Sequence, residues 1–169
     1  MSHNHYDHMD LPSLRRLKAR WAPAIVTGLG NGAYLAGKGI GGAIELDWWQ
    51  ACDVLRGLRV HFVPAQHWSK RLLSGLRTML WGGHVVETAA GRVYFAGDTE
   101  ETPELAHLAN IDVAFVPMNQ PTETPEAAAQ WVKDFKPRIV YPYHYSNVDP
   151  TAFVQAVGNA SEVRLRKWY

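Results

Sequence analysis

Histidine and aspartate side chains are concentrated at the start of the chain, in a spacing that suits metal binding. The opening residues, MSHNHYDHMD, contain three histidines and two aspartates. In an extended segment, His3 and His5 project to the same side because they are two residues apart. Asp7 and His8 follow where the chain must turn, so they can face a second point nearby. This stretch is therefore predicted to supply one half of a metal site.

Three further ligands are predicted at the ends of strands. His67 follows the apolar segment LRVHFVP, Asp98 ends VYFAGD, and His144 ends IVYPYH. In a layered α/β fold, the loops after the carboxyl ends of the strands gather at one edge. We therefore expect these three side chains to lie close to one another and to the opening motif.

The chemistry of these ligands indicates a pair of divalent metal ions. Imidazole and carboxylate groups favour zinc, with manganese or iron as alternatives. Seven ligands also exceed the four that one tetrahedral ion takes. The predicted sets are His3, His5 and His67 for one ion, Asp7, His8 and His144 for the other, and Asp98 as a bridge. Two such ions produce a hydroxide nucleophile at neutral pH, and Asp7 is expected to orient it for hydrolysis.

The remaining histidines are not predicted to bind metal. His61 and His84 lie inside predicted strands and His107 lies in a predicted helix, so these three are expected to be core or surface residues. A single HxH pattern is common on protein surfaces. The specific signal is HxHxDH followed by a histidine, an aspartate and a histidine that each end a strand.

The elements that must position these ligands are short and alternate in type. Periodicity predicts a helix over about 11–19 and another over 124–135 with Thr124 as its N-cap. Strands and helices alternate after a predicted hairpin over 82–99, which favours layered packing and an α+β fold class. The glycine-rich stretch GLGNGAYLAGKGIGG lacks the GxxxxGKS/T pattern and does not open a clear βαβ unit. It is predicted to be a turn and a short helix rather than a nucleotide-binding loop.

Composition narrows the function further. The chain has 169 residues, 47% of them hydrophobic and 20% charged, which suits one globular domain. A formal net charge of +1 argues against a nucleic-acid partner. The single cysteine, Cys52, excludes an internal disulfide and favours a reducing, cytoplasmic location. The sequence has no apolar run long enough for a transmembrane segment, and its polar first residues argue against a signal peptide.

The complete ligand set resembles that of the metallo-β-lactamase-fold hydrolase superfamily. The hallmark of that superfamily is HxHxDH followed by His, Asp and His at later strand ends, and each of these positions is filled here. The resemblance implies an αββα metallo-β-lactamase-type sandwich with a dinuclear site at one edge. It also implies hydrolysis of an ester, lactone, amide or phosphodiester.

Several segments of the sequence also resemble two subgroups of that superfamily. SHNHYDHMDLPSLRRL, ELDWWQ and PAQHWSKR resemble the enzymes related to N-acyl-phosphatidylethanolamine-hydrolysing phospholipase D. FAGDTEETPELAHLANIDVAFVPMN resembles bacterial hydrolases grouped near the ascorbate-6-phosphate lactonases. These resemblances imply a small-molecule or lipid-like ester or phosphodiester substrate.

The chain departs from these relatives in two respects. They carry several strands ahead of HxHxDH that are lacking here, and the phospholipase-like enzymes have a tyrosine where this chain has Glu100. We therefore expect residues 1–169 to form a single metallo-hydrolase domain that is N-terminally incomplete. An exposed sheet edge and core face would make it marginally stable or prone to form a homo-oligomer. A catalytically inactive fragment or a metal-binding module of the same fold stays open as the alternative function.

Four further residues are candidates for contact with the substrate. Tyr6 lies between ligands, where it is expected to donate a hydrogen bond to the substrate oxyanion. Trp68 and Trp81 lie in loops near the ligands, where they either line an apolar pocket or cover the core. Arg77 is expected to meet a phosphate, and it matches an arginine in the same region of the phospholipase-like enzymes.

Overall fold

The chain forms a two-stranded and a seven-stranded β-sheet in a computed structural model that describes residues 1–68, 79–118, 124–145 and 148–167. In chain order the elements are α1 Leu11–Trp21, β1 Ile25–Gly28, α2 Asn31–Gly37, β2 Ala43–Leu46, β3 Ala51–Leu55, β4 Leu58–Val63, β5 Gly83–Thr88, β6 Gly91–Phe95, a 3₁₀ helix Pro103–His107, β7 Val113–Pro117, α3 Pro125–Phe135, β8 Ile139–Tyr143, α4 Thr151–Val157 and β9 Glu162–Val163.

The seven-stranded sheet directs three strand ends to one edge. Its strands follow one another in chain order from β3 to β9, and the pairing changes from antiparallel to parallel after β6. Strands β4 and β6 run in the same direction because each is antiparallel to β5, and β8 follows β6 through two parallel pairings. The loops after β4, β6 and β8, which carry His67, Asp98 and His144, therefore lie at the same edge.

The chain folds into four layers because side chains that alternate along each strand pack against different elements on the two faces of each sheet. On one face of the seven-stranded sheet, β6 and β7 pack against α3 and α4 in a core that includes the fully buried Trp131 and Phe153. On the other face, Val26 of β1 packs against Phe62 of β4. The neighbouring Ile25 points the opposite way and packs with residues of α1 and α2. The order of layers is thus helix, sheet, sheet, helix.

The two long helices begin directly after the side chains that cap them. The Asp10 side chain accepts a hydrogen bond from the Ser13 backbone N at 2.9 Å, and Thr124 accepts one from the Ala127 backbone N at 3.2 Å. This confirms Thr124 as an N-cap. Helix α1 continues to Trp21, two residues beyond its predicted end. At 11 residues each, α1 and α3 are the longest helices of the described residues, and neither could cross a bilayer.

Several elements differ from the sequence-based expectations. Strand β3 was not predicted. The segment after Thr102 forms a 3₁₀ rather than an α-helix. The glycine-rich stretch does form a βαβ unit, because β1 and β2 pair in parallel around α2. Asn31, the first residue of α2, is buried, and its Nδ2 donates hydrogen bonds to the carbonyl oxygens of Gly28 and Leu80.

Candidate metal centre

The seven predicted ligands converge beyond the carboxyl ends of β4, β6 and β8. They form two groups, and within each group one ligand atom per residue lies within 4.8 Å of the others. The first group is His3, His5, His67 and Asp98, and the second is Asp7, His8 and His144. The six residues predicted for the two separate ions fall in separate groups, whereas Asp98, which is predicted to lie between them, groups with the first set. Their binding of metal stays a prediction.

Backbone hydrogen bonds hold the opening motif against the sheet edge. The Gly82 backbone N donates to the Ser2 carbonyl oxygen at 3.0 Å, and the Met9 backbone N donates to the His5 carbonyl oxygen at 2.8 Å. The second bond closes a turn between the two halves of the motif. Met9 then anchors the segment because its side chain is fully buried among Ile25, Leu35 and neighbouring residues.

Loop–loop bonds fix the other ligands relative to one another. The Gln66 backbone N donates to Thr99 Oγ1 at 2.9 Å, and the Glu100 backbone N donates to the Gln66 carbonyl oxygen at 3.1 Å. These bonds join the loops that carry His67 and Asp98. His144 adopts a φ of 58°, a left-handed conformation that non-glycine residues seldom take outside tight turns and functional sites.

The distances in the first group fit a tetrahedral ion. His3 Nε2 lies 2.9 Å from His5 Nδ1, and His67 Nε2 lies 3.3 Å from the same atom. His3 Nε2 and His67 Nε2 each lie 3.9 Å from Asp98 Oδ2. Zinc–ligand bonds near 2.0–2.1 Å place tetrahedral ligand atoms about 3.3 Å apart. The ring nitrogens therefore surround a point that a zinc-sized ion would suit.

Asp98 also faces the second group. His8 Nε2 lies 3.2 Å from Asp98 Oδ1 and 3.6 Å from Asp7 Oδ2. His144 Nε2 lies 3.9 Å from Asp98 Oδ2. The Asp98 carboxylate therefore lies between the two groups and contacts histidines of both.

Burial keeps two of the histidines in the form that binds metal. It lowers the pKa of His3 to about 2 and the pKa of His67 to about 4, so both rings are neutral at neutral pH. For Asp98, burial alone would raise the pKa, but the neighbouring His8 lowers it to about 2. Burial likewise opposes the charged form of His8, yet contact with Asp98 raises the pKa of His8 above its ordinary value. His8 therefore lies in contact with the ionised Asp98 carboxylate, beside the neutral rings of His3 and His67.

Ser2 supports both ligand groups and was not identified from the sequence. Its Oγ lies 3.1 Å from His3 Nδ1 and 3.2 Å from His8 Nδ1. A Cβ at position 97 would come within 2.6 Å of Ser2 Cβ, so Gly97, whose φ is 67°, makes room for this side chain. The Tyr143 hydroxyl donates to the Gly97 carbonyl oxygen and braces the turn before Asp98. The only signal in the sequence was that Ser2 adjoins His3.

The predicted substrate-contacting residues have different surroundings. The Trp68 ring packs at 4.4 Å from the His67 ring, between ring centres, and at 5.6 Å from the His5 ring. Trp81 is half-buried, and its Nε1 donates to the Ala65 carbonyl oxygen at 3.0 Å. Tyr6 is 60% exposed. Arg77 lies outside the described residues.

The other three histidines lie outside both groups. His61 Nε2 is 3.2 Å from Glu87 Oε2 on β5. His84 is buried, with its ring centre 5.0 Å from that of Phe62. His107 is exposed.

A cavity of about 550 Å³ extends from the second ligand group between the two sheets. Most of its walls are apolar and come from strand residues such as Val26, Val60, Val86 and Phe95. Ser2, His8 and Tyr143 also line it. The volume is in the range of small-molecule sites.

Comparison with known proteins shows what the chain is similar to. Residues 1–145 match the Beta-lactamase superfamily domain family. A UPF0173 metal-dependent hydrolase of Pyrobaculum arsenaticum is 33% identical over 182 residues, which cover 95% of this chain and 73% of that protein. The mitochondrial N-acyl-phosphatidylethanolamine-hydrolyzing phospholipase D of Saccharomyces cerevisiae is 31% identical over 109 residues, which cover 62% of this chain. The matched part is only 23% of the yeast protein.

The fold has close counterparts among solved structures. Igni18, a metallo hydrolase from Ignicoccus hospitalis, superposes with a TM-score of 0.83 at 24% sequence identity. The superposition covers 99% of this chain and 74% of that one. Together with the family match and the four observed layers, it confirms the predicted metallo-β-lactamase-type sandwich.

Proposed function

The chain belongs to the Beta-lactamase superfamily domain family, and from this we propose that it is a metal-dependent hydrolase with a dinuclear centre. The observation that carries the proposal is the position of Asp98, whose two carboxylate oxygens face two separate groups of ligands. A solitary structural ion would need neither the second group nor a carboxylate between the two. The metal-dependent hydrolase of Pyrobaculum arsenaticum supports the same reading by similarity.

The donor set favours two zinc ions, with manganese or iron as alternatives, because it consists of imidazoles and carboxylates. The residues proposed to hold them are His3, His5 and His67 for one, Asp7, His8 and His144 for the other, and Asp98 for both. When bound, a pair of such ions supplies a hydroxide nucleophile at neutral pH and stabilises charge on the attacked centre.

The surrounding side chains then position the reactants. The Asp7 carboxylate, which is 69% exposed, is placed to accept a hydrogen bond from the attacking water and to orient it. The Tyr6 hydroxyl is proposed to donate a hydrogen bond to the oxyanion that develops on the substrate. Trp68, packed on His5 and His67, would form an apolar wall beside the attacked bond. Trp81 is proposed to contact the substrate from the loop before β5.

We propose a phosphodiester, a lactone or another ester as the substrate, on a small-molecule or lipid-like compound. Support comes from the yeast relative, whose name specifies a phospholipase D, and from the aromatic side chains beside the ligands. The role of Arg77 in phosphate binding and the cytoplasmic location stay predictions.

The first experiment is elemental analysis of the purified protein, followed by hydrolysis assays on phosphodiester, lactone and carboxylic ester panels. We expect about two ions per chain and hydrolysis that a chelator abolishes. Asp98→Ala should lose at least one ion and lower kcat by about a thousandfold or more. The matched control is His61→Ala, a histidine outside both groups, which should retain both ions and full activity.

The same measurements separate the alternative functions. Unchanged hydrolysis in Asp98→Ala would rule out the proposed centre. Two bound ions with no turnover on any panel would instead favour the metal-binding module. A folded protein that binds no metal would contradict both the hydrolase and the metal-binding module, and would favour the catalytically inactive fragment.

A further inference from the structure

Helix α1 has an unusual surface for a helix that packs on a core. Its Leu11 and Leu14 pack against the buried Met9 and Ile25, yet no residue of the helix is fully buried. On an adjoining side, Leu17 is 40% exposed and Trp21 is 64% exposed. These two are four residues apart and lie one above the other, so they form a continuous apolar ridge that faces solvent.

The charge of α1 is strongly one-sided. It contains Arg15, Arg16, Lys18 and Arg20, and no acidic residue between Leu11 and Trp21. In the described part of the chain, the ion pairs of arginine and lysine all involve residues outside this helix. A chain with a formal net charge of only +1 thus concentrates four positive charges in 11 residues.

The basic and apolar features lie side by side. Arg16 and Arg20 are four residues apart and form a row next to the Leu17–Trp21 ridge. The Arg20 guanidinium lies over the Trp21 ring, 4.8 Å from its centre. Arg15 is on the other flank, where it donates to the Lys38 carbonyl oxygen at 3.2 Å. The ridge with Arg16 and Arg20 is called the α1 ridge below.

We propose that the α1 ridge docks the protein peripherally on an anionic lipid surface. Leu17 and Trp21 would enter the boundary between headgroups and acyl chains, where the amphipathic indole ring is favoured. Arg16 and Arg20 would meet lipid phosphates and carboxylates at headgroup level. The positive charge of the helix is complementary to the anionic headgroups. Its exposed apolar ridge is complementary to the upper part of the acyl chains.

Docking would also place the metal centre beside the bilayer. Helix α1 begins at Leu11, directly after the ligand motif that ends at His8. From its N-cap to Trp21 the helix rises about 16 Å. The centre would therefore lie within reach of compounds held at the lipid surface, although docking does not itself require hydrolysis.

The apolar ridge favours lipid over nucleic acid as the partner. Phosphate backbones are bound by basic residues alone, and this binding does not need an exposed leucine. Basic surfaces that bind nucleic acid also usually extend beyond one short helix. Here the basic residues border a leucine and a tryptophan at the spacing of one helical turn.

The test is co-sedimentation of the full chain with phosphatidylcholine vesicles, with and without phosphatidylserine. We expect binding at least about tenfold tighter to the anionic vesicles, and weaker binding as ionic strength rises. The double variant Arg16→Glu/Arg20→Glu should weaken binding by about tenfold or more. Trp21→Ser should weaken it by a similar factor although the charge is unchanged.

The chain offers a matched control at the β3–β4 turn. Leu55 is 67% exposed there, and the neighbouring Arg56 is also exposed. Leu55→Ser/Arg56→Glu removes a similar apolar and basic pair from another surface and should leave binding unchanged. If an α1 variant fails to fold, the lipid-charge and salt dependence of the unmodified protein decide the question.

Three results would overturn the proposal. The first is no vesicle binding, or equal binding to neutral and anionic vesicles. The second is an equal loss of binding in the control variant at Leu55 and Arg56. The third is binding of single-stranded RNA as tight as that of the anionic vesicles and unaffected by Trp21→Ser, which would assign the basic residues of α1 to nucleic acid.

Discussion

At the scale of single residues, burial sets the protonation state of the ligands and makes the metal-free protein sensitive to acid. The pKa values of His3 and His67 lie below the ordinary value of about 6.5, so the unfolded chain binds more protons once the pH falls below that value. Their contribution to stability is present above about pH 6.5 and is lost as the pH falls toward the folded-state values. His8, whose pKa is raised, contributes in the opposite direction, whereas the buried His84, whose pKa burial also lowers, adds to the loss of stability.

We therefore expect chelator-treated protein to be less stable at about pH 5 than at neutral pH, by about 2 kcal/mol. Thermal unfolding in the presence of chelator at the two pH values measures this difference. In this pH interval Asp98 contributes little, because its pKa is already about 2 and its ordinary value is below 4. A melting temperature that stays constant or rises on acidification would contradict the expectation.

Ser2 provides a second prediction at the residue scale. The Nε2 atoms of His3 and His8 face Asp98, so metal binding through Nε2 leaves both Nδ1 atoms protonated and able to donate to Ser2 Oγ. Ser2→Ala should weaken metal affinity by about 10- to 100-fold, as measured by competition with a chelator. Ser161→Ala, a buried serine away from the ligands, is the control. An unchanged affinity in Ser2→Ala would show that the hydroxyl does not orient the rings.

At the scale of elements, the N-cap of α1 joins helix stability to the metal centre. Asp10→Ala removes the hydrogen bond to the Ser13 backbone N and should cost about 1 kcal/mol, measured by denaturant unfolding. Thr124→Ala at α3 should cost a similar amount. Only Asp10→Ala should also lower metal affinity, because α1 follows Asp7 and His8 directly. Equal metal affinity in the two variants would contradict this coupling, and Asp10→Ser should restore the unmodified behaviour.

At the scale of the whole molecule, the two sheets differ in width and leave apolar surface uncovered. Phe95 is 43% exposed, and its ring stacks at 4.8 Å on Phe115, which in turn stacks at 5.3 Å on Tyr141. We expect this aromatic row to cause concentration-dependent self-association. Phe95→Ser should reduce the mass measured by size-exclusion chromatography with light scattering. A monomer at every concentration would contradict the predicted homo-oligomer, as would association unaffected by the substitution.

The sequence by itself determined the features that depend on residue type and local spacing. HxHxDH could be read from its spacing alone, and the three later ligands could be read because each follows an apolar run whose period is visible. The Thr124 N-cap could be read for the same reason, since its hydrogen bond closes within one turn. The number of ligands, which exceeds what one ion takes, indicated two sets, and the roles of these residues as metal ligands stay predictions.

Only the tertiary structure decided the features that depend on residues far apart in the chain. The glycine-rich stretch forms a βαβ unit because β1 pairs in parallel with β2. Residues 51–55 form strand β3 because they pair with β4. Ser2 reached two imidazoles because Gly82 binds its backbone and Gly97 leaves space for its side chain. Burial, which sets the pKa values at the site, likewise arises only when distant segments pack together. Local sequence patterns do not specify contacts between residues that are far apart in the chain, so these features could be identified only in the tertiary structure.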